Sequence, residues 1–508
     1  MSISFRCALD HPESLSCIVF RSSSFVLHEV VDFFRAAAGG RNEHRGRCLL
    51  LHTSLDVKRE VCLSAKSVVP KLPRVVIVGG GFGGLYAARA LAKAAVAITL
   101  VDKRNYHLFR PMLYQVATGL LSADEIAPPL RVLFGAQRNV DVLLSEVTGV
   151  DVANKKVLLP ECDLPYDYLI LATGIHVNYF GHPEWQSIAP GLESLDQADE
   201  IRSRIVRAFE EAERLRRCGK EEEAQVQELL TFVLVGGGTV GVEMAGTIAE
   251  MARMALVGDF RYLAPGSARI LLYEGTARIL PSFAEQLSLQ AHRHLESLGV
   301  TIYTGTKVES VDAEGIVADG KRVRSRTVLW TAGVEASPAA RWVGAEADKA
   351  GRVKVNGDLS VPGHPEIFAV GDTALVIAKT RNLLGLKSGT GVQMPGLAQP
   401  AIQEGEYVAK VIGRQVAGKP APGPFWYWDK GDLAIVGRTF AVADLRFWKS
   451  AGFIAWVLWA GVHVYFLIGF ANRLFVMMRW FVQFITRRRG VGAVSVDLPE
   501  RAETTSSG

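Results

Sequence analysis

No pair of cysteines in this chain is spaced to hold a metal or to act as a local dithiol. The six are Cys7, Cys17, Cys48, Cys62, Cys162 and Cys218, and none forms C-x-x-C or C-x-x-x-x-C. No metal site or disulfide framework is therefore expected, and a reducing compartment is the default. Nothing after Cys218 is a cysteine, which leaves the second half of the chain without a redox thiol. Charge of one sign is also scarce: a net charge of +5 over 508 residues is too mild an excess for nucleic-acid binding. Residues 1–73 lack the long apolar core of a signal peptide. They also lack the acid-poor composition of a transit peptide, since Asp10, Glu13, Glu29, Asp32, Glu43, Asp56 and Glu60 are present. They are expected to be a poorly ordered extension or the product of a misassigned start codon, and residues 491–508 a disordered tail.

What the chain has in quantity is glycine, 49 residues of it, within a composition that is 49% hydrophobic. Two glycine groups carry a pattern. Gly79-x-Gly81-x-x-Gly84, with Phe82 and Gly83 between, follows the apolar run RVVIV. Gly236-x-Gly238-x-x-Gly241, with Thr239 and Val240 between, follows TFVLV. A strand, a glycine turn and a helix start are what a dinucleotide pyrophosphate needs: close backbone approach, unpaired N–H groups and a positive dipole end. Two such turns predict two dinucleotides, with electrons passing between them.

Each turn has an acid further on. Asp102 lies 23 residues beyond Gly79, at the end of the strand predicted over 96–101, and suits a ribose hydroxyl. Glu274 lies 38 residues beyond Gly236, the excess being taken up by a loop at 259–266. A carboxylate there would repel a 2′-phosphate, which favours NADH over NADPH. Ala172-Thr173-Gly174 and Thr331-Ala332-Gly333 each close a later strand, and Glu366–Asp372 is a short strand ending in Gly371-Asp372. Its aspartate can reach the ribityl hydroxyls of a flavin. Residues 196–228 carry Arg and Glu at helical spacing and predict one or two surface helices.

The combination resembles the two-dinucleotide flavoproteins and, over residues 74–490, the type II NADH:quinone oxidoreductases. Four further segments carry the resemblance: Asn105–Gly119 (NYHLFRPMLYQVATG), Gly241-Val-Glu243-Met-Ala-Gly246, Ala398-Gln399-Pro-Ala-Ile-Gln403, and Tyr427-Trp-Asp-Lys430-Gly431 with the strand after it. The fold it implies is α/β: two Rossmann-like domains, the FAD domain discontinuous and the NADH domain inserted, with a helical C-terminal membrane-anchoring region. The expected parts are 74–195 and 346–424 for FAD, 196–345 for NADH and 425–490 for the anchor. The resemblance implies FAD binding by Gly79, Gly81, Phe82, Gly83, Gly84, Asp102, Lys103, Gln115, Thr173, Gly174, Gly371, Asp372, Ala398 and Gln399. It implies NADH binding by Gly236, Gly238, Thr239, Val240, Gly241, Glu243, Glu274, Ala332 and Gly333. Glu243, Gln399, Gln403 and Lys430 are its candidate catalytic residues.

The implied reaction is hydride transfer from NADH to FAD, then two-electron reduction of a membrane quinone. No proton pumping is implied, since the chain has no bundle of membrane-embedded acids. Gln399 and Gln403 are four apart, so one helix face would present two neutral amides to quinone carbonyls. Lys430 would face the flavin or the quinone, and Glu243 would position the nicotinamide or handle a proton. A sulfide:quinone oxidoreductase is the rival enzyme, but it needs a late redox cysteine. A flavin- and NADH-binding membrane sensor is the rival from another class.

Residues 451–471 are 21 apolar positions interrupted by one ionisable residue, His463. As one helix they would rise about 31 Å. Beyond them Asn472, Arg479, Gln483 and Thr486 recur against Leu474, Phe475, Met478, Trp480, Phe481 and Ile485, an amphipathic pattern that ends at Arg487–Arg489. Arg446 and Lys449 on one side, and Arg473 and Arg479 on the other, leave the orientation unassigned. A monotopic anchor is expected, with a single span as the alternative, arginines on anionic lipid and His463 interfacial or packed. The resemblance places it at the cytoplasmic face of a bacterial inner membrane and leaves room for a homodimer.

Overall fold

The computed structural model describes residues 72–219, 223–255, 260–264, 266–387 and 390–486. The expected extension up to residue 71, the cluster Arg487–Arg489 and the tail lie outside these residues.

Val75–Val78, β-branched and buried, form the centre of a six-stranded sheet. Its strands run in the order Ser360–Val361, His364–Ala369, Tyr168–Leu171, Arg74–Val78, Ala97–Asp102, Val140–Leu144. All are parallel except the short edge strand Ser360–Val361. The sheet thus takes strands from two distant parts of the chain. Between them lies a second parallel sheet, in the order Val300–Thr304, Arg269–Glu274, Thr231–Val235, Thr327–Trp330. Here Phe232, Leu234, Ile270 and Leu272 enter one core while Val233, Val235, Leu271 and Tyr273 enter another. A sheet covered on both faces has to read as continuous apolar runs, as TFVLV does. A discontinuous first domain with a second inserted in it is the fold expected from the sequence. The chain leaves the first sheet through Ile175–Val177 and returns through Val334–Ala336, and these two strands pair antiparallel.

The C-terminal region is a three-stranded antiparallel sheet, Asp432–Ile435, Ala441–Asp444 and Lys449–Gly452, followed by helices Phe453–Phe466 and Phe470–Thr486. The apolar stretch 451–471, long enough to span a membrane had it been one helix, is broken. Leu467 is extended and buried in one core, Ile468 is buried in the other, and Gly469 turns the chain at φ +97°. The carbonyls freed by the break are used, Arg473 Nε donating to Leu467 O (2.7 Å) and Asn472 Nδ2 to Ile468 O (3.2 Å). Among the described residues no helix is long and apolar enough to cross a membrane.

Helix Phe470–Thr486 sits on the protein the opposite way from a helix on a water-soluble surface. Two of its polar side chains bond to the protein: Arg479, itself partly exposed, pairs with Glu125 (3.3 Å), and Gln483 donates to Leu120 O (2.9 Å). Trp480, expected on the apolar face, also points inward and donates to Gln115 Oε1 (2.9 Å). Phe470, Leu474, Phe475, Met478, Phe481 and Ile485 face out, Phe470 at 83% exposure. The flanking arginines bond to the protein, whereas the cluster Arg487–Arg489 lies outside the described residues. Arg473 and Arg479 bond as above, and Arg446 bridges Asp429 and Asp432, both at 2.8 Å.

Candidate functional site

The two glycine turns are built alike. Gly79 and Gly236 take φ of +107° and +109°. A Cβ on Gly84 would stand 1.8 Å from Gly79 O, and one on Gly241 1.8 Å from Gly236 O. These glycines are required by close packing of strand, turn and helix. Gly81 and Gly238 differ, because a Cβ there would meet no protein atom within 4 Å. They begin helices Phe82–Ala90 and Thr239–Glu250, and neither helix has a side-chain cap. By contrast Ser194 caps helix Leu195–Cys218. Both fingerprint helices therefore keep free N–H groups at their starts, an arrangement that fits a pyrophosphate.

The acids behind the turns match as well. Asp102 accepts from Gly80 N–H (2.6 Å) and Arg104 N–H (2.7 Å). Glu274 accepts from Gly237 N–H (2.6 Å) and Thr276 N–H (2.7 Å). Burial raises the Asp102 carboxyl above its ordinary range against the pull of those two N–H bonds.

Both turns open on one cavity of ≈ 1220 Å³. Gly79, Gly81, Phe82, Gly83, Asp102, Lys103, Thr173, Gly174, Gly371, Asp372, Ala398 and Gln399 line it from the first domain. Gly238, Thr239, Val240 and Glu243 line it from the second. Gly84, Gln115, Gly236, Gly241, Glu274, Ala332, Gly333, Gln403 and Lys430 are not in its wall. Gln115 is buried, donating to Tyr114 Oη (2.8 Å) and accepting from Trp480. Gly333 packs under the ring of Phe180. Cys162 and Cys218 are exposed and outside the wall.

The floor beside Asp372 is tied together by short polar contacts. Thr173 bonds Ser337 and Thr373, and Gly174 N–H donates to Thr373 Oγ1 (2.8 Å). Burial raises the Asp372 carboxyl, opposed by Arg110 and Arg352. Gly371, at φ +65°, donates its N–H to Glu404 Oε2 (2.6 Å). Glu404 was not foreseen. It is fully buried, and burial drives its carboxyl to about 8, the Gly371 N–H opposing and the Asp372 charge adding. The only signal for it in the sequence is a glutamate directly after Gln403.

Helix Ala398–Val416 crosses the first fingerprint helix at Gly405, where a Cβ would lie 2.2 Å from Gly83 O. Its start brings Gln399 to the cavity. Lys430 Nζ donates to Gln399 Oε1 at 2.9 Å. An ammonium can only donate, so the amide oxygen faces Lys430 and the amide NH₂ is what remains for a ligand. Gln403, expected beside Gln399, is engaged twice by the main chain: it donates to Trp428 O (3.1 Å) and accepts from Trp428 N–H (2.9 Å). Together with the Arg446 bridge it fixes the segment 428–432 that carries Lys430. Burial lowers the Lys430 ammonium, with Glu406 opposing.

On the other wall, Glu243 is buried in the second turn of the second fingerprint helix, not the first as the spacing suggested. Burial raises its carboxyl well above the ordinary value, a bond from Ile435 N–H opposing. His463, expected to be packed or interfacial, stands in the cavity wall with Val462 and Phe466.

Residues 73–405 match the pyridine nucleotide-disulphide oxidoreductase family, and residues 429–489 match the NDH2 C-terminal domain. A type II NADH:quinone oxidoreductase of Mycobacterium tuberculosis is 44% identical over 436 residues, spanning 83% of this chain and 90% of that protein. In fold, the structure of NDH2 from Plasmodium falciparum in complex with RYL-552 superposes with a TM-score of 0.72 at 20% identity, covering 83% of this chain and 100% of that one. The sulfide:quinone oxidoreductase of Aquifex aeolicus reaches 0.59 at 18% identity, covering 78% and 90%.

Proposed function

The chain belongs to the type II NADH:quinone oxidoreductases, and from that premise we propose how this cavity oxidises NADH and reduces a quinone. Bound FAD supplies the redox chemistry, taking two electrons from NADH and passing them to the quinone. The observation that carries the assignment of sites is that both uncapped glycine turns open on the cavity that Gln399 also lines.

The start of helix Phe82–Ala90 holds the FAD pyrophosphate, Asp102 its adenosine ribose and Asp372 its ribityl chain. Lys103, Thr173, Gly174 and Ala398 complete that wall, while Gln115 supports it from behind. The start of helix Thr239–Glu250 holds the NADH pyrophosphate, with Glu274 behind it at the ribose. The buried Glu243 carboxyl, in the wall beside that helix start, orients the nicotinamide amide. Gln399 offers its NH₂ to a quinone carbonyl. Lys430 and Gln403 are positioning residues, the first orienting that amide and the second fixing the strand that carries Lys430.

Purified, FAD-loaded protein is expected to oxidise NADH with menadione or a short-chain ubiquinone. Protein that keeps its FAD but leaves NADH unconsumed sinks the enzyme reading and favours a sensor.

We infer further that the chain lies on a lipid surface, at the face of the membrane where NADH is dissolved. Helix Phe470–Thr486 turns its polar side to the protein and its apolar side out, the orientation an interfacial helix adopts. Leu445, Phe447, Trp448, Phe453, Ile454, Val457 and Leu458 form an apolar groove at the start of helix Phe453–Phe466. Each phenyl transferred from water to lipid contributes about 1.5–3 kcal/mol. Replacing Phe470, Phe475 and Phe481 together by Glu should therefore abolish flotation with vesicles. Unchanged flotation overturns the assignment. A change from dimer to monomer with flotation intact makes the face a contact between two copies instead.

A further inference from the structure

None of the roles assigned so far uses His463, yet this residue is part of the cavity wall. Its Nδ1 lies 2.7 Å from the carbonyl of Trp459. A carbonyl only accepts, so Nδ1 carries the proton and Nε2 keeps a lone pair. The ring is stacked on Trp459, with centroids 4.3 Å apart, and meets Phe109 edge-on at 6.3 Å. Trp459 is itself fully buried, which holds the imidazole in this orientation. Burial lowers the imidazole to about 4, so it is neutral at physiological pH and Nε2 can only accept.

The neighbours on this wall connect His463 to the amide at Gln399. Phe466, less than one turn further along the same helix, lies 5.1 Å from Lys430 Nζ, and Lys430 holds Gln399. The wall therefore offers a donor at the Gln399 NH₂ and an acceptor at His463. A quinone oxygen only accepts, whereas a hydroquinone oxygen both accepts and donates. Gln399 can bond either form, but His463 can bond the reduced form alone.

We propose that His463 Nε2 accepts a hydrogen bond from a hydroquinone hydroxyl, so that the pocket holds its reduced product more tightly than the quinone. No bond breaks in this contact, and both protons stay on the hydroquinone oxygens. The proposal rests on the quinone reading given above. Favouring the reduced form draws the second electron transfer forward, and the cost is inhibition by accumulated product.

The test compares the quinone KM with the inhibition constant of the matching hydroquinone, in the wild-type holoenzyme and in H463F, with FAD content confirming that the variant has folded. Losing one hydrogen bond to a buried partner should raise the hydroquinone constant roughly tenfold, with the quinone KM moving less than about threefold. H463Q, which keeps an acceptor oxygen, should restore most of the product affinity. If H463F loses FAD, the smaller H463L is measured in its place. Equal shifts in both constants, or no shift in either, overturn the proposal. A wild-type enzyme that reduces no quinone overturns the underlying reading instead.

Discussion

The two fingerprint helices start from nearly superimposable turns and are then covered by unlike partners. The first is crossed by another helix, which approaches at Gly405 and brings Glu404 and Gln399 with it. The second is covered by the C-terminal sheet, where a Cβ on Gly246 would lie 2.7 Å from Gly437 N and Glu250 accepts from Arg438 N–H (2.7 Å). The turn makes a dinucleotide site, and the cover decides what that site faces. The two covers meet at Lys430 and Gln399, so the exit proposed for electrons is built from parts that belong to neither turn.

The largest expected effect separates the two turns themselves. G84V and G241V each force a side chain into the main chain of Gly79 or Gly236. G84V should give colourless protein. G241V should give yellow protein whose flavin NADH no longer bleaches. Equal loss of FAD in both would mean that the two sites are not independent. Next comes the joint between the covers: K430M frees the Gln399 amide and should raise the quinone KM roughly tenfold, the scale of a charged hydrogen bond. Steady-state kinetics with the NADH concentration saturating checks this, and an unchanged KM removes Lys430 from the exit.

A smaller effect should set the first cover apart by pH. The Glu404 carboxyl moves from an ordinary 4.5 to about 8, so the folded protein holds a proton that the unfolded chain releases. That contribution to stability is complete below pH 4.5 and is lost as pH rises through about 8. E404Q, which keeps an acceptor for Gly371 N–H, should flatten the fall in melting temperature between pH 5 and 9. A slope equal to wild type would assign the titration to another group. The smallest effect belongs to the second turn: E274Q should raise use of NADPH relative to NADH a few-fold, read as a ratio of kcat/KM. An unaltered ratio would remove Glu274 from cofactor choice.

The turns and their strands were legible in the sequence because an apolar run followed by a backbone that only glycine allows is a local pattern, and Asp102 and Glu274 because each closes the next apolar run. The break at Leu467–Gly469 was not legible. It arises because Leu467 and Ile468 are buried in two different cores, and hydropathy counts them as it would lipid-facing residues. Helical spacing put Gln403 beside Gln399, but the main chain of Trp428, 25 residues away, takes both of its hydrogen-bonding groups. The amphipathic pattern of 470–486 was plain, whereas which face meets the protein depends on Glu125, Leu120 and Gln115, more than 350 residues earlier. His463 read as an interfacial or packed residue for the same reason, since no local pattern shows a cavity.

The break at Leu467–Gly469 also has an electrical consequence. Helix Phe453–Phe466 has 14 residues and rises about 21 Å, short of a hydrocarbon core about 30 Å thick. Lying on the bilayer as proposed, the chain keeps both turns and the Gln399 wall on one side. Moving a charge through a membrane potential costs about 2.3 kcal/mol per 100 mV, and here no charge makes that journey. NADH oxidation by this protein should then run at one rate in energised and in uncoupled vesicles, so the voltage that slows a pump has no hold on it.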